Sequence, residues 1–162
     1  MDRDVQPGDD ALEPAADPVA ELMEVARRVT EPWLRRVVGD AARRGGADPS
    51  GWPDLDPMIA DTADELLERL ARLLATDVDE QRTNPLSIYR DAVRAPSEFL
   101  ATRGVVEPPG DAFAAARFPG DPYLLGPAGW DDIDPDLRVP GLTWGAWKAM
   151  TVLRRRRDEG RR

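Results

Sequence analysis

The chain has 162 residues with 22 basic against 31 acidic side chains, a net charge of −9 and a pI near 4.6. It has no cysteine and no histidine, which removes disulfide frameworks, thiolate nucleophiles, histidine-based triads and His-ligated zinc from consideration. Leu, Ile, Val and Phe together make up 21% of the residues, just above the roughly 20% at which chains stay disordered, so any core must draw on alanine and on the five tryptophans.

Residues 1–16 are acidic, poor in apolar side chains and broken by Pro7, Gly8 and Pro14; they read as a disordered acidic tail. Asp17-Pro18 is a helix-start signal, with Asp as N-cap and Pro at the first helical position. Val19, Leu22, Met23, Ala26, Val29, Trp33, Leu34, Val37, Val38 and Ala41 then recur at three and four residues. They predict one long helix to about Arg44, kinked rather than broken at Pro32 and stopped by Gly45-Gly46. Asp56-Pro57 repeats the start signal. A second apolar face follows through Ile59, Ala63, Leu66, Leu67, Leu70, Leu73 and Leu74, to about Ala75. Asn84-Pro85 opens a third helix that Ala95-Pro96 interrupts, and a short helix from Ser97 to Arg103 ends at Gly104. An alanine-rich short helix is expected over residues 111–118.

Residues 119–138 are rich in proline and glycine, yet contain Tyr123, Leu124, Leu125, Trp130, Ile133 and Leu137. So many large apolar side chains predict a segment that wraps onto the helices. Pro140 to Arg157 reads as a terminal helix with Leu142, Trp144, Ala146, Trp147, Met150 and Leu153 apolar, core packing being the expected role of Trp144 and Trp147. No strand pattern and no internal repeat is present. The sequence therefore predicts an all-α protein. Its single helical domain, residues 17–153, has three longer and several short helices, followed by a mobile, arginine-rich tail over residues 154–162.

Charge is unevenly distributed. Residues 104–136 carry seven acids against Arg117, and residues 154–162 carry six arginines against Asp158 and Glu159. No run of about 18 apolar residues predicts a membrane span, and the N-terminus lacks the basic-then-apolar order of a secretory signal. A cytoplasmic setting is the expectation.

Four features compete as sites. Asp61, Asp64, Glu65 and Glu68 share one face of the second helix and raise a Mg²⁺ reading, but bundle metal sites of that kind add Glu-x-x-His, and this chain has no histidine. Asp132-x-Asp134-x-Asp136 has the spacing of a calcium loop, but Leu137 and Thr143 stand where that loop needs Gly and Glu; Asp134-Pro135 reads better as a helix start. Arg154, Arg155, Arg156 and Arg157 could contact phosphates, but no aromatic residue is interleaved for base stacking. Trp52 and Trp130 fall in loops, where aromatics can anchor a partner. Tyr89, Tyr123 and Asp121 are the residual candidates for acid–base work, and nothing in their spacing selects them.

The second half resembles a small family of uncharacterised actinobacterial proteins. The resemblance covers about residues 84–150. It rests on the segments NPL (84–86), YRDAVRAP (89–96), FPGDPYLL (118–125), DIDPDL (132–137) and PGLTWGAWKA (140–149). It implies a bacterial cytoplasmic protein and carries over no catalytic residue. Where the family has Gly-Ala-Ala-Lys in the terminal helix, this chain reads Gly145-Ala146-Trp147-Lys148.

Taken together, the sequence points to a non-enzymatic interaction or regulatory protein with no cofactor and no metal, whose partner is another protein. The expected docking surface is Tyr123, Trp130, Asp131, Asp132 and Asp134, with Arg154–Arg157 as a second contact. A nucleic-acid-associated regulator working through the arginines and a Mg²⁺-dependent carboxylate enzyme are the alternatives.

Overall fold

The computed structural model describes residues 17–76, 84–110 and 118–162. Among them the chain is helical with no strand: α1 (Pro18–Arg44), α2 (Leu55–Ala75), α3 (Leu86–Ala92), α4 (Arg94–Thr102), α5 (Trp130–Ile133) and α6 (Arg138–Glu159), with 3-10 turns at Pro49–Gly51 and Pro135–Leu137. The acidic segment 1–16 and all but the last residue of the expected alanine-rich helix lie outside the described residues. No described helix is long and apolar enough to cross a membrane.

The start signals work as their chemistry requires. The Asp17 carboxylate accepts the Val19 amide at 3.0 Å, satisfying a helix-terminal N–H with no partner inside the helix. α1 then continues through Pro32 to the expected Gly45. Gly46 turns the chain with φ of 79°, a conformation glycine adopts without penalty. α2 begins at Leu55, ahead of the Asp56-Pro57 signal. Pro57 thus sits in the first turn, where its missing N–H costs no hydrogen bond. Pro96 likewise lies in the first turn of α4. It has no amide to offer the Ala92 carbonyl, and α3 ends at Ala92.

α1 is the centre of the molecule, touching α2, α4, α5 and α6. Leu22, Ala26, Trp33, Leu34 and Val38 of α1 are fully buried with Ile59, Leu66 and Leu70 of α2 and Leu100 of α4. The proline-rich segment wraps onto this core as expected, burying Tyr123, Leu125, Ile133 and Leu137. Two α1 arginines hold it down. Arg36 donates to the carbonyls of Asp132 (2.9 Å) and Ile133 (3.1 Å), and Arg28 pairs with Asp136 at 3.0 Å.

One aromatic chain ties these layers together. Trp33 meets Tyr89 edge to face with centroids 5.4 Å apart, and Tyr89 meets Trp130 at 6.2 Å. The Thr30 hydroxyl donates to the Ala26 carbonyl at 2.6 Å. With its single proton committed there, Thr30 accepts from the Tyr89 hydroxyl at 3.0 Å. At the far end the Trp130 indole lies against Gly141 of α6, where a Cβ would come within 2.4 Å of the ring.

The terminal helix runs to Glu159, with Arg154–Arg157 in its last turns, as the helical reading of 140–157 expected. Arginine is a good helix former, and cations at a helix C-terminus complement the dipole.

Gly141→Ala is expected to destabilise the fold by about 1–3 kcal/mol, because the indole must move by more than the helix propensity of alanine returns. Gly145→Ala, with nothing within 4 Å of its new Cβ, should stabilise by about 1 kcal/mol. Urea denaturation of the two variants checks both signs.

Burial pushes the Tyr89 phenol from 10.0 up to about 12. The unfolded chain releases this proton near pH 10 and the folded chain only near 12. Stability is therefore complete below pH 10 and falls as pH rises to 12, by on the order of 2–3 kcal/mol. Tyr123, raised by burial and then by Glu107, adds to the fall with the same sign. Lys148 is the one lysine, so amine titration interferes little. Denaturation midpoints at about pH 9 and about pH 11.5 should show the loss, and Tyr89→Phe should shrink it.

Candidate functional site

The partner surface expected from the sequence is already engaged within the chain. Tyr123 is buried and donates its hydroxyl to the Val105 carbonyl at 2.8 Å. Trp130 is half-buried between Tyr89 and Gly141. Asp132 accepts the amides of Ala128 (2.8 Å) and Gly129 (3.1 Å), capping α5, and Asp134 accepts the Asp136 amide at 2.8 Å, capping the following turn. Asp131 stands 3.9 Å from Arg138. These aspartates start helices, the structural reading that Asp134-Pro135 pointed to. Trp52 is also occupied, edge to face with Phe99 at 5.8 Å and under the Arg103 guanidinium at 5.2 Å.

The metal reading gains no geometry. Asp61, Asp64, Glu65 and Glu68 are exposed on the outer face of α2, where Glu68 stands 4.0 Å from Arg72. Among the described residues no three carboxylates converge on a point that could hold an ion. The arginine run is equally dispersed. Successive helical residues step by about 100°, so Arg154, Arg155, Arg156 and Arg157 surround the helix instead of forming one stripe.

A cleft of about 630 Å³ opens where α3 and α4 meet the wrapping segment, lined by Arg90, Asp91, Arg94, Phe118, Asp121 and Leu124. Most of its polar groups are committed. Arg90 holds the segment by donating to the carbonyls of Pro127 (3.0 Å) and Ala128 (3.1 Å). Asp121 accepts the amides of Leu125 (2.7 Å) and Gly126 (2.8 Å). Asp91 pairs with Arg69 at 3.2 Å. The turn that Asp121 closes holds Leu124 at φ 57°, the one positive φ at a non-glycine residue among those described. That costs roughly 1–2 kcal/mol. Arg94 makes no ion pair or hydrogen bond among the described residues, so the cleft mouth offers one free guanidinium. Its lining includes no Ser, Lys or Tyr to attack or to relay a proton.

Five of the eight exposed large apolar side chains among the described residues lie on α6. Only Pro140, Gly141 and Trp144 of this helix are buried. Val139 is 67% exposed, Leu142 60%, Met150 54% and Leu153 63%, with Trp147 39% exposed beside them. Trp147 was expected in the core and is on the surface. With Ala146, the four fall at spacings of three, four, four and three residues. At about 100° per residue this confines them to one stripe, about 21 Å long from Val139 to Leu153. The opposite side of the helix carries Trp144, with the Lys148 ammonium 5.0 Å from its ring centroid. The signal was present in the sequence: the apolar residues of 139–153 cover two faces, too wide a set for one core contact. Comparison with protein-family models, curated proteins and solved structures finds no match.

Asp121→Ala leaves two amides of the wrapping segment without an acceptor. It is expected to cost about 1–3 kcal/mol and to speed amide hydrogen exchange at Leu125 and Gly126, as read by NMR.

Proposed function

We propose that this protein is a non-enzymatic interaction protein, regulatory or structural in role, that docks a helical protein partner along the exposed stripe of α6. The single observation that supports the reading is the stripe itself: Val139, Leu142, Met150 and Leu153 aligned in the open on a helix whose other side is packed. Isolated apolar residues on a surface are ordinary, whereas an aligned set is the form taken by helix-in-groove and helix-on-helix recognition. The stripe runs into the basic turns Arg154–Arg157, so the partner suited to it is an amphipathic helix whose apolar face is bordered by carboxylates. The unmatched arginine at the cleft mouth and the dispersed carboxylates of α2 support no catalytic reading of comparable weight.

The test is quantitative capture by the tagged chain from a native lysate treated with nuclease, comparing wild type with Leu142→Asp/Met150→Asp. Both side chains are exposed, so the double variant should keep its helicity and change stability by no more than about 0.5 kcal/mol per site. Retention of a stoichiometric protein is expected to fall at least tenfold in the variant and to persist in the control Asp61→Lys on the outer face of α2. Equal retention by wild type and the double variant would remove this surface from consideration.

A further inference from the structure

The stripe on α6 reads the same in both directions. From Val139 the spacings are three, four, four and three, so Ala146 is its midpoint, with Leu142 and Met150 on either side and Val139 and Leu153 at the ends. A helix with a palindromic apolar stripe matches an antiparallel copy of itself. A two-fold axis through Ala146 sets Leu153 on the other copy's Val139, Met150 on its Leu142, and the two Ala146 methyl groups against each other at the crossing. A small residue at the crossing is what close approach of two helices requires. This is the self-complementarity of an isologous contact, in which each patch meets its own image.

Charge follows the same symmetry. The turns before α6 carry Asp131, Asp132, Asp134 and Asp136, and its C-terminal turns carry Arg154 to Arg157. Asp131, Asp132 and Asp136 are exposed. Among the described residues Arg154 and Arg157 enter no ion pair. In an antiparallel pair the two helix dipoles oppose, and Arg156 and Arg157 lie toward the other copy's four aspartates, of which Asp131 also faces Arg138 and Asp136 also faces Arg28 within its own chain, while Arg154 comes opposite Arg138. A parallel pair would bring arginines to arginines and aspartates to aspartates. The net charge of the two ends, four aspartates against Arg138 before the helix and four arginines over 154–157, thus favours the antiparallel orientation.

We propose that the occupant of the α6 stripe is a second copy of this chain, related by a two-fold axis at Ala146 and held in register at both ends by arginine–aspartate contacts. This deepens the interaction reading above and rests on it. Four large apolar side chains and Trp147 per copy, each only part-exposed, bury about the 1,000 Å² at which specific interfaces begin. The dimer is therefore expected to dissociate in the micromolar range, more readily in high salt.

Sedimentation velocity of the full chain across micromolar to millimolar concentration tests this. A reversible monomer–dimer equilibrium is expected. Ala146→Glu, which sets two carboxylates against each other on the axis, should weaken it at least tenfold while circular dichroism stays unchanged. Charge reversal tests the orientation. Arg157→Glu and Asp131→Arg, the latter giving up only the exposed 3.9 Å contact with Arg138, should each weaken self-association, and an equimolar mixture of the two should recover it as a heterodimer. A monomer at every concentration, a dimer indifferent to Ala146→Glu, or a mixture that stays monomeric would overturn the proposal. If the monomer result coincides with stripe-dependent capture of a different protein, the second copy fails as occupant while the interaction reading stands.

Discussion

The fold depends on one hydroxyl and the aromatic chain it anchors. Thr30, buried in the middle of α1, fixes the Tyr89 hydroxyl, and Tyr89 fixes the edges of Trp33 and Trp130. Those three rings join α1 to α3 and to the wrapping segment, and Trp130 passes the constraint to α6 through the bare backbone at Gly141. A chain with so few large aliphatic residues gains from concentrating its buried area in aromatic rings, whose edge-to-face contacts also fix orientation. The cost is intolerance at Gly141, where a helix otherwise favours any residue but proline over glycine.

The helices were legible because their ends are chemically marked. Asp17-Pro18 and Gly45-Gly46 bracket α1, and the three- and four-residue recurrence between them outweighs Pro32. At α2 and α4 the proline sits a residue or two further in than a simple start rule expects. Pro is tolerated throughout the first turn, where amides lack intrahelical acceptors. The site was less legible. Asp134-Pro135 was legible as a start signal, but Asp132 looks like a surface acid in sequence, and only its distances to the Ala128 and Gly129 amides show it spent on capping. Tyr123 falls in a proline-rich loop, and nothing local reveals that the Val105 carbonyl, far back in the chain, takes its hydroxyl. Trp147 was read as core because apolar periodicity does not say which of two faces finds a partner within the chain.

The functional reading follows from that division of α6. Its inner face is consumed by Pro140, Gly141 and Trp144, and its outer face remains apolar without a partner among the described residues. Absent histidine and cysteine narrow the chemistry available to the protein, while an ordered helix carrying apolar, acidic and basic zones in sequence is suited to recognition. The Arg94 cleft is walled by a turn that holds Leu124 in a left-handed conformation, the one backbone strain of this kind among the described residues.

Lys148 lies on the same helix as the stripe but on its opposite side, its ammonium held over the Trp144 ring. It is the chain's only side-chain primary amine. An amine-reactive dye placed there would sit within van der Waals reach of an indole, a strong quencher, yet clear of the outer face. The molecule thus comes with one chemically distinct address on α6, from which changes in that helix can be followed optically without altering the surface under study.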